Sequence, residues 1–198
     1  MTSRAVHVLV FDGFADWEPA YALAEIRRSG KRTVTVIGFD ENPVTSMGGL
    51  RVSPEKSIAD VQAADVELLI LPGGDLWEGT YPRAELERLL AALIAAAAPI
   101  AAICGATLAV ARAGLLNDRR HTSNMPDYLR EHVPEYRGAA AYDPALAVSD
   151  RGVITASGLG PVDFARAVFR ELGIFDDSDE RLWFDMFKHG RMPGQQPL

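Results

Sequence analysis

The run from Pro99 to Ala111, PIAAICGATLAVA, begins as a buried strand and continues as an apolar helix, with the chain's one cysteine at the junction. A strand that turns sharply into a helix leaves its junction residue above the sheet edge, and the helix's first free N–H groups and dipole point at that side chain. Those groups favour a thiolate, so the Cys104 pKa is expected to fall below the ordinary value of about 8.5. Gly105 suits an elbow too tight for a bulky neighbour. The alternative is that Cys104 is one more small buried apolar residue.

The flanking chain supplies the rest of an α/β pattern. Ala5–Phe11 is a continuous apolar run closed by Asp12-Gly13, as expected of a strand covered on both faces. Asp16 is expected to cap a helix that has Glu18 and Pro19 in its first turn and Gly30 as its terminator. Residues 33–38 are rich in β-branched side chains and form a second strand; residues 42–54 carry hairpin signals. Val66–Leu71 is a third buried strand, closed by Pro72-Gly73-Gly74-Asp75, and Leu86, Leu89, Leu90 and Leu93 follow at helical spacing. Later segments predict a short helix from Pro126 to His132 and a strand pair across Ser149–Gly152. A helix from Gly160-Pro161 to Gly173 follows, then one from a capping-box pair, Asp177 with Glu180, to Gly190. That last helix is expected to pack on its own core, with a subunit contact as the second choice, and residues 192–198 to fray.

Strands alternating with helices in apolar runs imply a parallel sheet between helical layers, with ligands bound beyond the strands' carboxyl ends. Glu18, Gly73-Gly74 and Cys104 each lie just past such an end, so three separate regions can converge on one crevice. At 198 residues and 48% apolar composition, the chain is expected to form one domain over residues 1–198. A net charge of −7 argues against a broad nucleic-acid footprint or a basic membrane-surface helix. No signal segment, transmembrane run or zinc-spaced Cys/His cluster is evident, and one cysteine allows no intrachain disulfide, which favours a cytoplasmic setting. No metal and no cofactor is expected; Gly73-Gly74 follows a strand, but no Gly-x-Gly-x-x-Gly stands there for a nicotinamide dinucleotide.

The segments Asp12–Glu18, Leu71–Gly74, Ala102–Ala106 and Thr155–Gly158 resemble the ThiJ/PfpI superfamily, over nearly the whole chain and in order. The resemblance implies a flavodoxin-like three-layer α/β sandwich with a mainly parallel sheet, helices on both faces and a nucleophile elbow. It further implies Cys104 as nucleophile, Glu18 as the acid bonded to its sulfur, and Gly74 and Gly105 as oxyanion donors. It also implies a small-molecule substrate and a homodimer. Three departures stand out: Gly105 occupies the position where protease-like members carry histidine, Asn124 the position of a deglycase histidine, and His189-Gly190-Arg191 supplies no late His-x-Glu pair, which argues against peptidase and glutaminase activity. His121 is the one nearby candidate base, and Trp17 and Trp77 are candidate pocket walls.

Two functions follow. One is an enzyme in which Cys104 adds to an electrophilic carbon, as an amidase, a glyoxalase or an isocyanide-type hydratase. The other is an oxidative-stress protein whose Cys104 is oxidised without turnover.

Overall fold

The computed structural model describes residues 4–192; the expectations at Met1–Ser3 and at residues 193–198 fall outside them. In chain order the elements are β1 (Ala5–Val10), α1 (Trp17–Arg28), β2 (Val34–Gly38), β3 (Val44–Thr45), β4 (Arg51–Val52) and β5 (Lys56–Ser57). Then come β6 (Val66–Leu71), α2 (Arg83–Ala95), β7 (Ile100–Ile103), α3 (Ala106–Arg112), α4 (Pro126–His132), β8 (Ala147–Asp150), β9 (Val153–Ala156), α5 (Pro161–Leu172) and α6 (Asp177–His189).

Seven strands form one sheet in the order β5-β2-β1-β6-β7-β9-β8, parallel except where β8 runs against β9. Counted along the chain, its five main parallel strands fall in the order 2-1-3-4-5, the flavodoxin-like arrangement. The direction of winding reverses between β1 and β6, the switch point beyond whose strand ends sheets of this kind bind ligands.

The apolar runs are continuous because both faces of each strand are covered. In β6, Leu69 and Leu71 pack with Leu86, Leu89, Leu90 and Leu93 of α2 and with Leu108 of α3. The alternate residues, Leu68 and Ile70, pack with Ala22 and Ile26 of α1, Phe164 and Phe169 of α5, and Trp183 of α6. The β8–β9 turn places Arg151 and Gly152 at φ +48° and +75°, the left-handed pair a two-residue hairpin requires. Among the described residues, no helix is long and apolar enough to cross a membrane.

Two helix starts differ from expectation. Asp16 precedes α1 but makes no capping bond. Its carboxylate accepts from Ser46 Oγ and from the Gly48 N–H at 3.1 Å, tethering the β3–β4 hairpin. At α6 the cap is Asp176, which accepts from the Ser178 and Asp179 N–H groups at 2.9 Å each. Glu180 does not close a capping box, because its buried carboxylate is drawn to Arg166 and Arg170 of α5. As expected, α6 packs on its own core: Trp183 is buried edge-on against Phe169 and donates to Glu25 at 3.2 Å.

Candidate active site

Cys104 sits at the elbow between β7 and α3 with φ +59°, a left-handed conformation that a residue with a side chain adopts only when its surroundings enforce it. Its N–H donates to Ala156 O of β9 at 2.9 Å. Its carbonyl accepts from the Thr107 N–H at 3.2 Å and Thr107 Oγ1 at 2.7 Å. Thr107 Oγ1 lies 2.6 Å from Ser123 Oγ, so the elbow is also tied to the loop before α4.

Glu18, the second residue of α1, is buried with its carboxyl against the sulfur. Its Oε2 accepts from the Gly73 N–H at 2.6 Å, and the Cys104 thiol is a second hydrogen-bond partner. A β-carbon at Gly73 would stand 2.6 Å from Glu18 Oε2 and 2.7 Å from Cys104 Cβ. One at Gly158 would stand 2.9 Å from the sulfur and 3.3 Å from Glu18 Oε1. Glycine at both positions is therefore what allows acid and thiol to meet. Asn124 closes the other side, its Nδ2 3.5 Å from the sulfur and its Oδ1 accepting from the Gly158 N–H at 3.0 Å.

Of the two expected oxyanion donors, the Gly105 N–H faces the sulfur. Gly74 holds φ +153° beside the elbow, and a β-carbon at Gly105 would press on its carbonyl at 3.0 Å. The neighbouring Gly73 N–H is occupied by Glu18.

The remaining expected residues are not brought to the sulfur. His121 is fully buried, with Nδ1 2.7 Å from Arg119 O and Nε2 2.6 Å from the Tyr136 hydroxyl; burial holds its pKa below the ordinary histidine value. Trp77 does not wall a pocket: it has no exposed surface, donates to Pro72 O at 2.8 Å and stacks edge-on with Phe11 and Tyr81 beneath the elbow. Trp17 is half exposed. Asp16 serves the hairpin, as described above. Gly158 carries a role that its sequence position hinted at, since Ser157-Gly158 follows the end of β9 as Gly73-Gly74 follows β6.

The electrostatics overturn the expected low cysteine pKa. Burial first, then the neighbouring Glu18 charge, push the Cys104 thiol up to about 11, against the opposing pull of the Asn124 amide and the Gly105 N–H. The partial charge of a short helix start does not outweigh a whole carboxylate in contact within a partly dry site. Burial also raises the Glu18 carboxyl, with the Gly73 N–H and the thiol acting in the opposite sense. Thiol and acid thus behave as a pair that retains a proton. Among the described residues, no cluster of three His, Cys, Asp or Glu side chains could hold a metal ion.

The sequence profile of the DJ-1/PfpI family matches residues 4–171. The chain is 36% identical over 195 residues to an uncharacterized protease, YoaZ, of Bacillus subtilis, covering 95% of this chain and 92% of that one. It is 28% identical over 148 residues to a deglycase of Thermococcus kodakarensis, covering 75% and 87%. The crystal structure of a DJ-1 superfamily protein from Agrobacterium tumefaciens superposes with a TM-score of 0.87 at 36% identity, covering 95% of this chain and all of that one. With this fold and a profile match over most of its length, the chain belongs to the DJ-1/PfpI family.

Proposed function

We propose that this protein is a cysteine-dependent enzyme in which the Cys104 sulfur adds to an electrophilic carbon of a small molecule and Glu18 moves the proton. The observation that carries this reading is the buried hydrogen bond between the Glu18 carboxyl and a thiol held on a strained elbow. Because the thiol holds its proton to about 11 with the Glu18 carboxylate beside it, the addition is concerted rather than an attack by a standing thiolate. As the S–C bond forms, the thiol proton passes to the Glu18 carboxylate. The displaced π pair moves onto the oxygen or nitrogen of the substrate, where the Gly74 and Gly105 N–H groups receive it; Glu18 then returns the proton to that atom. Each such donor contributes about 3 kcal/mol to the transition state where it has been measured. Amide hydrolysis and glyoxal chemistry begin this way; in isocyanide hydration sulfur and proton both add to the terminal carbon, so Glu18 delivers its proton to carbon. The protease and deglycase names of the relatives agree with a reactive carbonyl as target.

A specific observation favours a second reading. Among the described residues, no histidine hydrogen-bonds the sulfur, whereas Asn124 and Glu18 both can bond an oxygen added to it. In this reading a peroxide oxidises the thiol to sulfenic acid, releasing water or alcohol, and no turnover follows. A homodimer acting in the cytoplasm is the setting proposed for either reading, with sedimentation as the check on assembly.

The test is turnover on a panel of glyoxals, amides and isocyanides. Cys104→Ser is expected to abolish it, and Glu18→Gln to lower kcat by about 100-fold. Turnover that survives Cys104→Ser would overturn the enzyme reading; stoichiometric peroxide oxidation without any turnover favours the sensor.

A further inference from the structure

The turn that begins at Gly74 and the helix that follows Asn124 are tied to each other by two separate sets of hydrogen bonds. Gly74 opens a short 3-10 helix, Asp75–Glu78, and Asn124 stands two residues before α4. From α4 the Tyr128 hydroxyl donates to Glu78 Oε1 at 2.9 Å. Arg112, at the end of α3, donates from Nη1 to Trp77 O at 2.5 Å and from Nη2 to His132 O at 3.3 Å. One guanidinium thus spans the same two segments that the phenol joins. His132 adds a longer contact, its Nε2 3.9 Å from Glu78 Oε2.

Both segments bear on the sulfur. The turn rests against the elbow, since a β-carbon at Gly105 would stand 3.0 Å from Gly74 O and 3.2 Å from the Trp77 ring. The Trp77 N–H donates to Gly74 O at 3.3 Å, so a shift of the turn carries Gly74 with it. On the other segment, the Asn124 amide lies 3.5 Å from the sulfur. The hydrogen bonds of Arg112 all go to uncharged oxygens, the third being the Tyr81 hydroxyl at 3.4 Å. Its charge therefore strengthens the ties themselves. Burial, and then Glu78, push the Tyr128 phenol up, while the charges of Cys104 and Arg112 act on it in opposite senses. At neutral pH the phenol keeps its proton and with it the bond to Glu78.

We propose that Tyr128, Glu78 and Arg112 are positioning residues of the Cys104 site: by fastening the Gly74 turn to α4 they hold the Gly74 N–H and the Asn124 amide in place around the sulfur. None of the three hydrogen-bonds the sulfur or Glu18; they act through the groups they hold. This rests on the reading of Cys104 as a nucleophile served by those donors, but its test does not require turnover.

Cys104 is the chain's one cysteine, and two probes separate its donors from its ionisation. p-Nitrophenyl acetate transfers its acetyl group to the sulfur through a tetrahedral oxyanion and releases one p-nitrophenolate, read by absorbance. Iodoacetamide alkylates the same thiol with no oxyanion, read by intact mass. Both rates are corrected with Cys104→Ser protein, and their ratio reports the donors alone. The ratio is expected to fall about fivefold in Tyr128→Phe, Glu78→Ala and Arg112→Lys, the scale of one net hydrogen bond, with the iodoacetamide rate unchanged. Glu78→Gln keeps an oxygen for the phenol and is expected to retain most of the ratio. Tyr128→Phe combined with Glu78→Ala is expected to fall no further than either alone, because both remove one bond. Should Arg112→Lys fail to fold, the Tyr128 and Glu78 variants, at partly exposed positions, decide alone. A ratio unmoved in these variants, whether or not the urea midpoint falls, would overturn the proposal, and so would additive losses in the double variant. A lowered ratio in a protein without turnover keeps the positioning residues and removes the enzyme reading. Turnover lost in Cys104→Ser, beside a ratio that the other variants leave unmoved, does the reverse.

Discussion

Glu18 and Cys104 are two acids in one small, dry space, and the proton they retain governs the chemistry of the site. With the thiol pushed up to about 11, alkylation of Cys104 is expected to climb steadily above pH 9 rather than level off near neutrality. Glu18→Gln removes the charge but not the burial, so the midpoint is expected to move down while staying above the ordinary thiol value. A wild-type midpoint below 8.5, from iodoacetamide rates against pH, would refute this account. The same pair affects stability. The folded Glu18 carboxyl is raised above its ordinary value of 4.5, so the unfolded chain ionises first and stability falls as pH rises from there through the folded value. Gln keeps an oxygen for the Gly73 N–H and carries no charge. Glu18→Gln is therefore expected to melt above wild type at pH 8, with the difference vanishing near pH 4; thermal denaturation at the two pH values checks it.

At the scale of elements, the elbow is held from three directions: β9 through the Ala156 carbonyl, α3 through Thr107, and the loop before α4 through Ser123 and Asn124. His121 begins that loop, and its ring bridges Arg119 O and the Tyr136 hydroxyl in the core. It acts as a strut there and reaches no substrate. Tyr136→Phe leaves one ring nitrogen of His121 without its partner and is expected to cost about 1–2 kcal/mol in urea unfolding. The Cys104 alkylation rate should stay at the wild-type value; a fall in that rate without loss of stability would place His121 in the chemistry after all.

Across the whole molecule, two helical layers hold the sheet so that β1, β6, β7 and β9 deliver their trailing residues to one crevice. The outer layer is closed by α6, which the buried Glu180 carboxylate fastens to α5, accepting from Arg170 at 2.6 and 2.9 Å and from Arg166. Arg166 also lies over the Phe184 ring, 4.1 Å from its centre. Glu180→Ala leaves two arginines unpaired beside an apolar seam. Because Arg170 is half exposed, the expected loss is about 1–3 kcal/mol rather than that of a fully buried pair, read as a lowered denaturation midpoint.

Much of this architecture is legible in the amino-acid order because strand runs, glycine stops and helical spacing are local. β1, β6, the elbow at Cys104 and α5 lie within a residue or two of where their patterns put them. Local order also named Cys104, the first polar side chain past a buried strand, whereas Glu18 stands behind Asp12 and Asp16 and is singled out as the acid by the family resemblance. What it could not decide was contact between distant segments. Asp16 resembles a cap until the hairpin 30 residues on claims its carboxylate, and Glu180 resembles a capping-box partner until α5 presents two arginines. His121 resembles a base until Tyr136 and Arg119 enclose it. The cysteine's pKa depends on the same kind of fact. A helix start alone would lower it, but the fold brings burial and a carboxylate from β1's far end to the sulfur, and over that distance charge and desolvation outweigh a local dipole.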